Sequence, residues 1–223
     1  MHIRIPTPLL VVSLVLTWGA FIAPSGPGTQ SQASPEDKGY REFERQEITV
    51  PDFQASGFIL DIGGGGEGII GRMKSAQVVA IDISRRELED APAGPLKIVM
   101  DASDLKFLDS TFDTATIFYT LMYMDEEVQG KALREVHRVL TPGGRLLVWD
   151  VEIPAQSDPK KKSALFPFLF HLPGKDVGTG YGVGWPPRPH DMAYYISLAR
   201  DAGFRIVERK QDGRSFFLDL RKS

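Results

Sequence analysis

The stretch Phe58-Ile-Leu-Asp-Ile-Gly-Gly-Gly-Gly-Glu-Gly-Ile-Ile-Gly71 decides how the rest of the chain is read. Three apolar residues lead to Asp61, Ile62 follows, and glycine then occupies every position from Gly63 to Gly66. A short apolar run stopped by glycine predicts a buried strand that ends in a tight turn. Glycine accepts positive φ and lets another group lie close to the main chain, so the turn is predicted to face a ligand.

Beyond this turn, β-like runs alternate with helical patterns, the arrangement of βαβ units in a parallel sheet. Glu67–Lys74 is predicted as a short helix, and Gln77–Ile83 is a nearly unbroken apolar strand, as in a sheet covered on both faces. Ser84-Arg-Arg-Glu87 is a capping box that starts a helix ending by Pro92. Strands follow at Leu96–Met100 and Thr114–Tyr119. Asp125 caps a helix whose apolar face is Val128, Leu133, Val136 and Leu140, stopped by Thr141-Pro-Gly-Gly144. Gly144–Ile153 is the next strand and Asp191–Ala202 the last helix. Two closing strands, Phe204–Arg209 and Ser215–Leu220, flank the hairpin signal Asp212-Gly213. The fold class is therefore α/β: a Rossmann-like, doubly wound, mostly parallel seven-stranded sheet with an antiparallel C-terminal hairpin strand.

The domain is predicted to span 36–223. Within it, Glu36–Gln46 is charged and carries Tyr40 and Phe43 at helical spacing, which predicts a short helix. The segment 154–190 is rich in Gly, Pro and aromatics without a clear period, and reads as a substrate-lid loop. Residues 1–35 read differently. Arg4 precedes an apolar run over 9–23, followed by a Gly/Pro/Ser/Gln linker, so this segment is read as an export signal or an uncleaved anchor. It predicts membrane association through 9–23 or export; without it the domain is expected in the cytoplasm. A net charge of -3 gives no electrostatic case for a nucleic-acid partner. The absence of cysteine removes thiolate catalysis and Cys-ligated zinc. No His/Asp cluster has ligand spacing, so no metal site is predicted.

In an open parallel sheet, ligands bind beyond the carboxyl ends of the strands, near the reversal of strand order. The residues there are Asp61 with Gly63–Gly66, Asp82, Asp101-Ala102 and Tyr119-Thr120. Three carboxylates with no Lys or Arg among them suit a cation bearing hydroxyls and amines and repel a phosphate.

These segments resemble the class I S-adenosylmethionine-dependent methyltransferases, in the small-molecule branch called type 11. The resemblance is carried by Ile59-Leu-Asp-Ile-Gly-Gly-Gly-Gly66, Val78-Val-Ala-Ile-Asp-Ile-Ser84, Met100-Asp-Ala-Ser-Asp-Leu105 with Phe112-Asp113, and Leu133-Arg-Glu-Val-His-Arg-Val-Leu-Thr-Pro-Gly-Gly144. It implies S-adenosyl-L-methionine as cofactor and methyl transfer to a small-molecule or lipid-like acceptor. It also implies cofactor contacts. Gly63 and Gly65 would let the main chain approach the methionine part, Asp82 would take the ribose hydroxyls with Ile83 beside it, Asp101 and Ala102 the adenine, and Tyr119 would sit beside the sulfonium end. Asp61, by its place, would hold the turn or accept from an ammonium group. One departure stands out: Glu67 occupies the place of the usual third glycine.

Two other readings stay open on the residues alone. Gly63-x-Gly65-x-x-Gly68 matches the dinucleotide fingerprint of NAD(P)-binding oxidoreductases, although Asp61 and Glu67 would repel a pyrophosphate. A non-catalytic binding protein could use the same fold. For a general base the sequence offers His171, His190 and Tyr181, all within the 154–190 segment, with Trp185 beside them as an aromatic that could face the substrate.

Overall fold

The computed structural model describes residues 39–223, so the apolar run over 9–23 and its membrane reading lie outside the described residues. The first elements are two short strands, β1 (Tyr40–Glu42) and β2 (Gln46–Thr49), and not the helix expected over 36–46. Phe43 explains the difference. Its ring lies flat on Phe166, with centroids 4.7 Å apart and planes 2° from parallel, while β1 and β2 take up a partner strand on either side of it. Burial against a sheet outweighs a helical spacing of two aromatics.

The chain then builds the main sheet. It runs through β3 (Ile59–Ile62), helix α1 (Ile69–Lys74), β4 (Val78–Asp82), α2 (Arg85–Asp90), β5 (Leu96–Val99), β6 (Phe112–Phe118), α3 (Glu126–Val139) and β7 (Leu140–Val151). The capping signals act as the sequence predicts: Ser84 Oγ accepts from Glu87 N, and Asp125 Oδ1 accepts from Val128 N at 2.9 Å. After a further hairpin come α4 (Met192–Asp201) and the closing strands β10 (Phe204–Asp212) and β11 (Ser215–Lys222). The seven strands lie in the order β10-β11-β7-β6-β3-β4-β5. Pairing is parallel from β7 to β5 and antiparallel on both sides of β11. The order reverses at β3, between β4 on one side and β6 on the other. The glycine turn leaves the sheet there.

The hairpin between β7 and α4 is the main departure from expectation. Residues read as an irregular loop form β8 (Ser163–Leu172) and β9 (Lys175–Gly184), paired in register throughout. On its other edge β8 takes β1 and β2 in parallel, which completes a second, four-stranded sheet. Its inner face buries Ala164, Phe166, Phe168, Phe170 and Leu172 in strict alternation. Gly178, Gly180, Gly182 and Gly184 of β9 stand opposite the outward residues Leu169, Pro167, Leu165 and Ser163, so from 178 to 184 the outer face of β9 has no side chains to reveal a period of two.

Two apolar clusters follow from this layering. On one face of the main sheet Leu60, Ile62, Ile81, Ile117 and Val148 pack against Leu133 and Val136 of α3 and Tyr195 and Ile196 of α4. On the other face Val78, Ala80, Leu147 and Trp149 meet α1 and the phenylalanines of β8. Among the described residues no helix is long and apolar enough to cross a membrane.

Candidate functional site

The glycine turn is built around side chains of the protein itself. An added Cβ at Gly63 would lie 2.3 Å from Thr120 Oγ1, at Gly64 it would lie 2.6 Å from Asp61 Oδ2, and at Gly65 it would lie 2.5 Å from Glu87 Cβ. Gly63 also holds a φ of 71°, in the region that favours glycine. The sequence predicts these glycines as room for a ligand; the structure shows that they first make room for Asp61, Asp82 and Glu87. The turn is tied down by Gly63 N and Gly64 N, which donate to Ile81 O at 2.8 and 3.0 Å.

This packing leaves a cavity of about 350 Å³ beyond the ends of β3, β4 and β6. It gathers Asp61, Gly63, Gly65, Asp82, Ile83, Asp101, Ala102 and Tyr119, the eight residues singled out from the sequence as cofactor contacts. Tyr181, from β9, lines it as well. Its carboxylates are Asp61, Glu67, Asp82, Glu87, Asp101 and Asp125, and no Lys, Arg or His is among its described lining residues. Such a rim fits a cation with hydroxyl and amino groups and does not fit a diphosphate.

The individual acids differ in what holds them. Asp61 is 2% exposed, and burial pushes its carboxyl up to about 7; the Thr116 hydroxyl, which donates at 2.7 Å, opposes that, and the charge of Asp82 adds to it. Burial also raises the Asp82 carboxyl, against the pull of the backbone donors Ser84, Gly65 and Ile83. Ser84 N donates to it at 2.8 Å, which aims the other oxygen at the turn. Asp101 accepts from the amide and hydroxyl of Ser103, each at 2.8 Å.

Tyr119 is a left-handed residue with φ 48°, a strained position for a bulky side chain. Its hydroxyl turns away to the Ser215 hydroxyl beneath the sheet, so only its ring and main chain border the cavity. Above it stands an aromatic wall: Tyr181 lies 5.3 Å from Tyr119, centroid to centroid, and Tyr123 meets Tyr181 edge-on at 6.5 Å. Glu67 crosses from the glycine turn to this wall. Its carboxylate accepts from the Thr179 hydroxyl and, at a long 3.4 Å, from the Tyr181 hydroxyl.

The two histidines do not reach the cavity. His171 is held between Glu47 and Asp176 at the far end of the hairpin. His190 is 3% exposed, stacked flat on Tyr194, with Nε2 3.2 Å from Glu126 Oε1. Trp185 donates its indole N–H to Lys161 O and is also outside the lining. Sequence reasoning gave no ligand role to Tyr123, Met124, Val128 or Glu87, all of which line the cavity. Glu87 was visible only as the acid of a capping box, and no spacing rule marks the others.

Comparison with known proteins points one way. Residues 60–148 match the family described as methyltransferase domain. A ubiquinone/menaquinone biosynthesis C-methyltransferase of Desulfotalea psychrophila is 34% identical over 197 residues, which cover 79% of this chain and 76% of that protein. An O-methyltransferase of Aspergillus sclerotiorum is 30% identical over 162 residues, 67% of this chain but only 55% of the relative. Among solved structures, an S-adenosylmethionine-dependent methyltransferase from Methanosarcina mazei aligns with a TM-score of 0.52 at 23% identity, over 76% of this chain and 94% of that one. The last likeness is one of fold.

Proposed function

The chain belongs to the class I S-adenosylmethionine-dependent methyltransferases, and from that premise we propose that its acceptor is a small hydroxylated aromatic molecule. The enzyme uses S-adenosyl-L-methionine, which supplies a methyl group already activated by a positively charged sulfur. The observation that carries the acceptor reading is the wall of Phe118, Tyr119, Tyr123, Met124 and Tyr181 facing the glycine turn across the cavity. A flat ring can lie against such side chains, and stacked or edge-on aromatic pairs contribute about 0.5–1.5 kcal/mol each. The Tyr123 hydroxyl has no hydrogen-bond partner among the described residues and is free to meet a polar substituent. Relatives named for quinone biosynthesis and for O-methylation are consistent with a ring that carries hydroxyls.

In this reading the acidic rim holds the cofactor and the aromatic wall holds the acceptor. Asp82 takes the ribose hydroxyls, Asp101 and Ala102 the adenine with Ile83 beside it, and Asp61 steadies the turn under the cationic end. Alignment of acceptor and methyl is then the main task, and such positioning can remove roughly 7–11 kcal/mol of a bimolecular barrier. The acceptor reading is tested by offering the protein labelled S-adenosylmethionine with phenols, catechols and quinols, beside aliphatic alcohols and amines. Label is expected in the hydroxylated aromatics; label confined to amines or aliphatic alcohols overturns the proposal.

Two expectations concern the cofactor. Asp82→Ala removes a bidentate acceptor and is expected to weaken S-adenosylmethionine binding by about 1.5–3 kcal/mol in calorimetric titration, with the fold intact. Affinity should also depend on pH through Asp61, whose carboxyl is raised to about 7. A cation above it binds the ionised form, so below that value binding must first release a proton. Affinity is expected to climb as pH rises from 6 to 8 and then level, by up to about tenfold per unit on the acid side. A flat profile over that range means that Asp61 does not face the positive charge.

A further inference from the structure

We infer that Glu67 is the proton acceptor for the acceptor hydroxyl, in a subsite made with Tyr123 and Tyr181 that selects a phenolic O–H. The inference deepens the acceptor reading above and rests on it.

Glu67 stands in the glycine turn, where the cofactor binds in this reading, yet its carboxylate reaches the hairpin that forms the aromatic wall. It therefore borders both halves of the cavity. Four of the other acids lining it are otherwise engaged. Asp61 lies beneath the turn with Thr116, Asp82 and Asp101 accept from their own following residues, and Asp125 caps α3. Glu87 also lines the cavity, but its side chain lies against Gly65 and Gly66, and among the described residues it makes no hydrogen bond to the hairpin of the aromatic wall. Of the three candidates predicted for a base, His171 and His190 lie outside the cavity, and Tyr181 donates its hydroxyl to Glu67.

The hydrogen bonds of Glu67 leave it capacity to act. A carboxylate offers about four acceptor sites on two oxygens. Thr179 takes one on Oε1, and Tyr181 approaches Oε2 at a distance too long for a strong bond. Oε2 is thus the oxygen left for a ligand. The Tyr123 hydroxyl stands without a partner on the same side of the cavity, and the negative charge of Glu67 is among the causes that keep that tyrosine protonated, after burial itself. A hydroxyl entering between Glu67 and the two tyrosines would donate to the carboxylate and accept from a phenol. That is the pattern that recognises an O–H, and not an ammonium or a carboxylate.

The step balances simply. The acceptor O–H bond breaks, its electron pair stays on the oxygen of the ring as nucleophilic charge, and the proton forms an O–H bond on Glu67. The proton leaves to water once the product has departed. General-base assistance of this kind contributes roughly 10²–10⁴-fold, and most to the least acidic hydroxyls.

The test compares Glu67→Gln with the wild type on unsubstituted phenol and on 4-nitrophenol at the same pH. Glutamine keeps an oxygen for Thr179 but cannot take a proton. The variant is expected to lose about 100-fold in kcat/KM with phenol and much less with 4-nitrophenol, a far stronger acid with a large ionised fraction in the absence of any base. Calorimetry with S-adenosylhomocysteine supplies a readout apart from turnover, and the variant should bind it within about threefold of wild type. An equal loss with both phenols, or no loss with either, overturns the base assignment. Loss of S-adenosylhomocysteine binding overturns it too, since Glu67 would then serve the cofactor. A wild type that methylates neither phenol nor any hydroxylated aromatic overturns the acceptor reading, and this inference with it.

Discussion

Gly65→Val is expected to fold with reduced stability and to weaken S-adenosylmethionine binding by roughly 10–150-fold. The first added carbon would lie 2.5 Å from Glu87 Cβ, 2.8 Å from Asp82 Oδ2 and 3.0 Å from the Glu87 main chain, and the branches of valine would go further. Main chain cannot swing aside as a flexible side chain can. Overpacking of this kind costs about 1–3 kcal/mol, and turning Asp82 away removes a contact of about 1.5–3 kcal/mol. The first is lost from fold stability; the second corresponds to a loss of about 10–150-fold in affinity. Gly143→Ala is the matched control. Gly143 also has a positive φ, 74°, but lies in the turn within β7 with nothing near its Cβ position. It should cost stability alone and leave calorimetric affinity unchanged. Tight binding by a folded Gly65→Val would mean that the turn can move without harm, so that its packing on Asp82 does not shape the site.

How much of this was legible depended on how each element announces itself. The parallel strands of the main sheet are short apolar runs ended by Asp or Gly, and their helices open on Ser84, Asp125 and Asp191, whose side chains cap the next turn. Those are local signals, and the structure repeats them within a residue or two, except that β7 already begins at Leu140, four residues before the Gly144 expected. Since βαβ connections carry each strand end to the same edge, Asp61, Asp82 and Asp101 could be gathered from their place in the chain alone. The second sheet gave no such signal. Its β1 and β2 gain their pairing from β8, more than 110 residues away in the chain, and no local pattern encodes that. In β9 the alternation was hidden by glycine at the outward positions 178, 180, 182 and 184. For the same reason the aromatic wall and the bridge from Glu67 to Thr179 could not be foreseen, because a contact between a turn and a strand so far apart exists only after folding. His190 misled in the opposite direction. A histidine beside an aromatic segment looks reactive, but here it is packed on Tyr194 and faces Glu126, which Arg188 holds from the other side.

The placement of β8 leads to the second large effect: Phe170→Ala should destabilise the fold by about 3–5 kcal/mol. Phe170 is fully buried between the sheets, 5.0 Å from Phe118, 5.2 Å from Tyr119 and 5.2 Å from Phe168, centroid to centroid. It also pairs with Ile48 of β2 and Val177 of β9, so its loss opens a cavity where three strands meet the main sheet. For a domain of this size the drop corresponds to roughly 6–20 °C in melting temperature. The neighbouring residue provides the comparison. Leu169 lies on the outer face of the same strand, opposite Gly178, and Leu169→Ala should cost less than about 1 kcal/mol. Urea unfolding of the two variants reads this contrast directly. Similar small losses for both would mean that residues 163–184 do not alternate between a buried and an open face, and that the hairpin is the unpacked loop its composition suggests. A large loss at Phe170 alone makes the hairpin part of the core. The aromatic wall over the cavity would then be held by the same burial that stabilises the fold, and a softened wall in Phe170→Ala should raise KM for an aromatic acceptor more than KM for the cofactor.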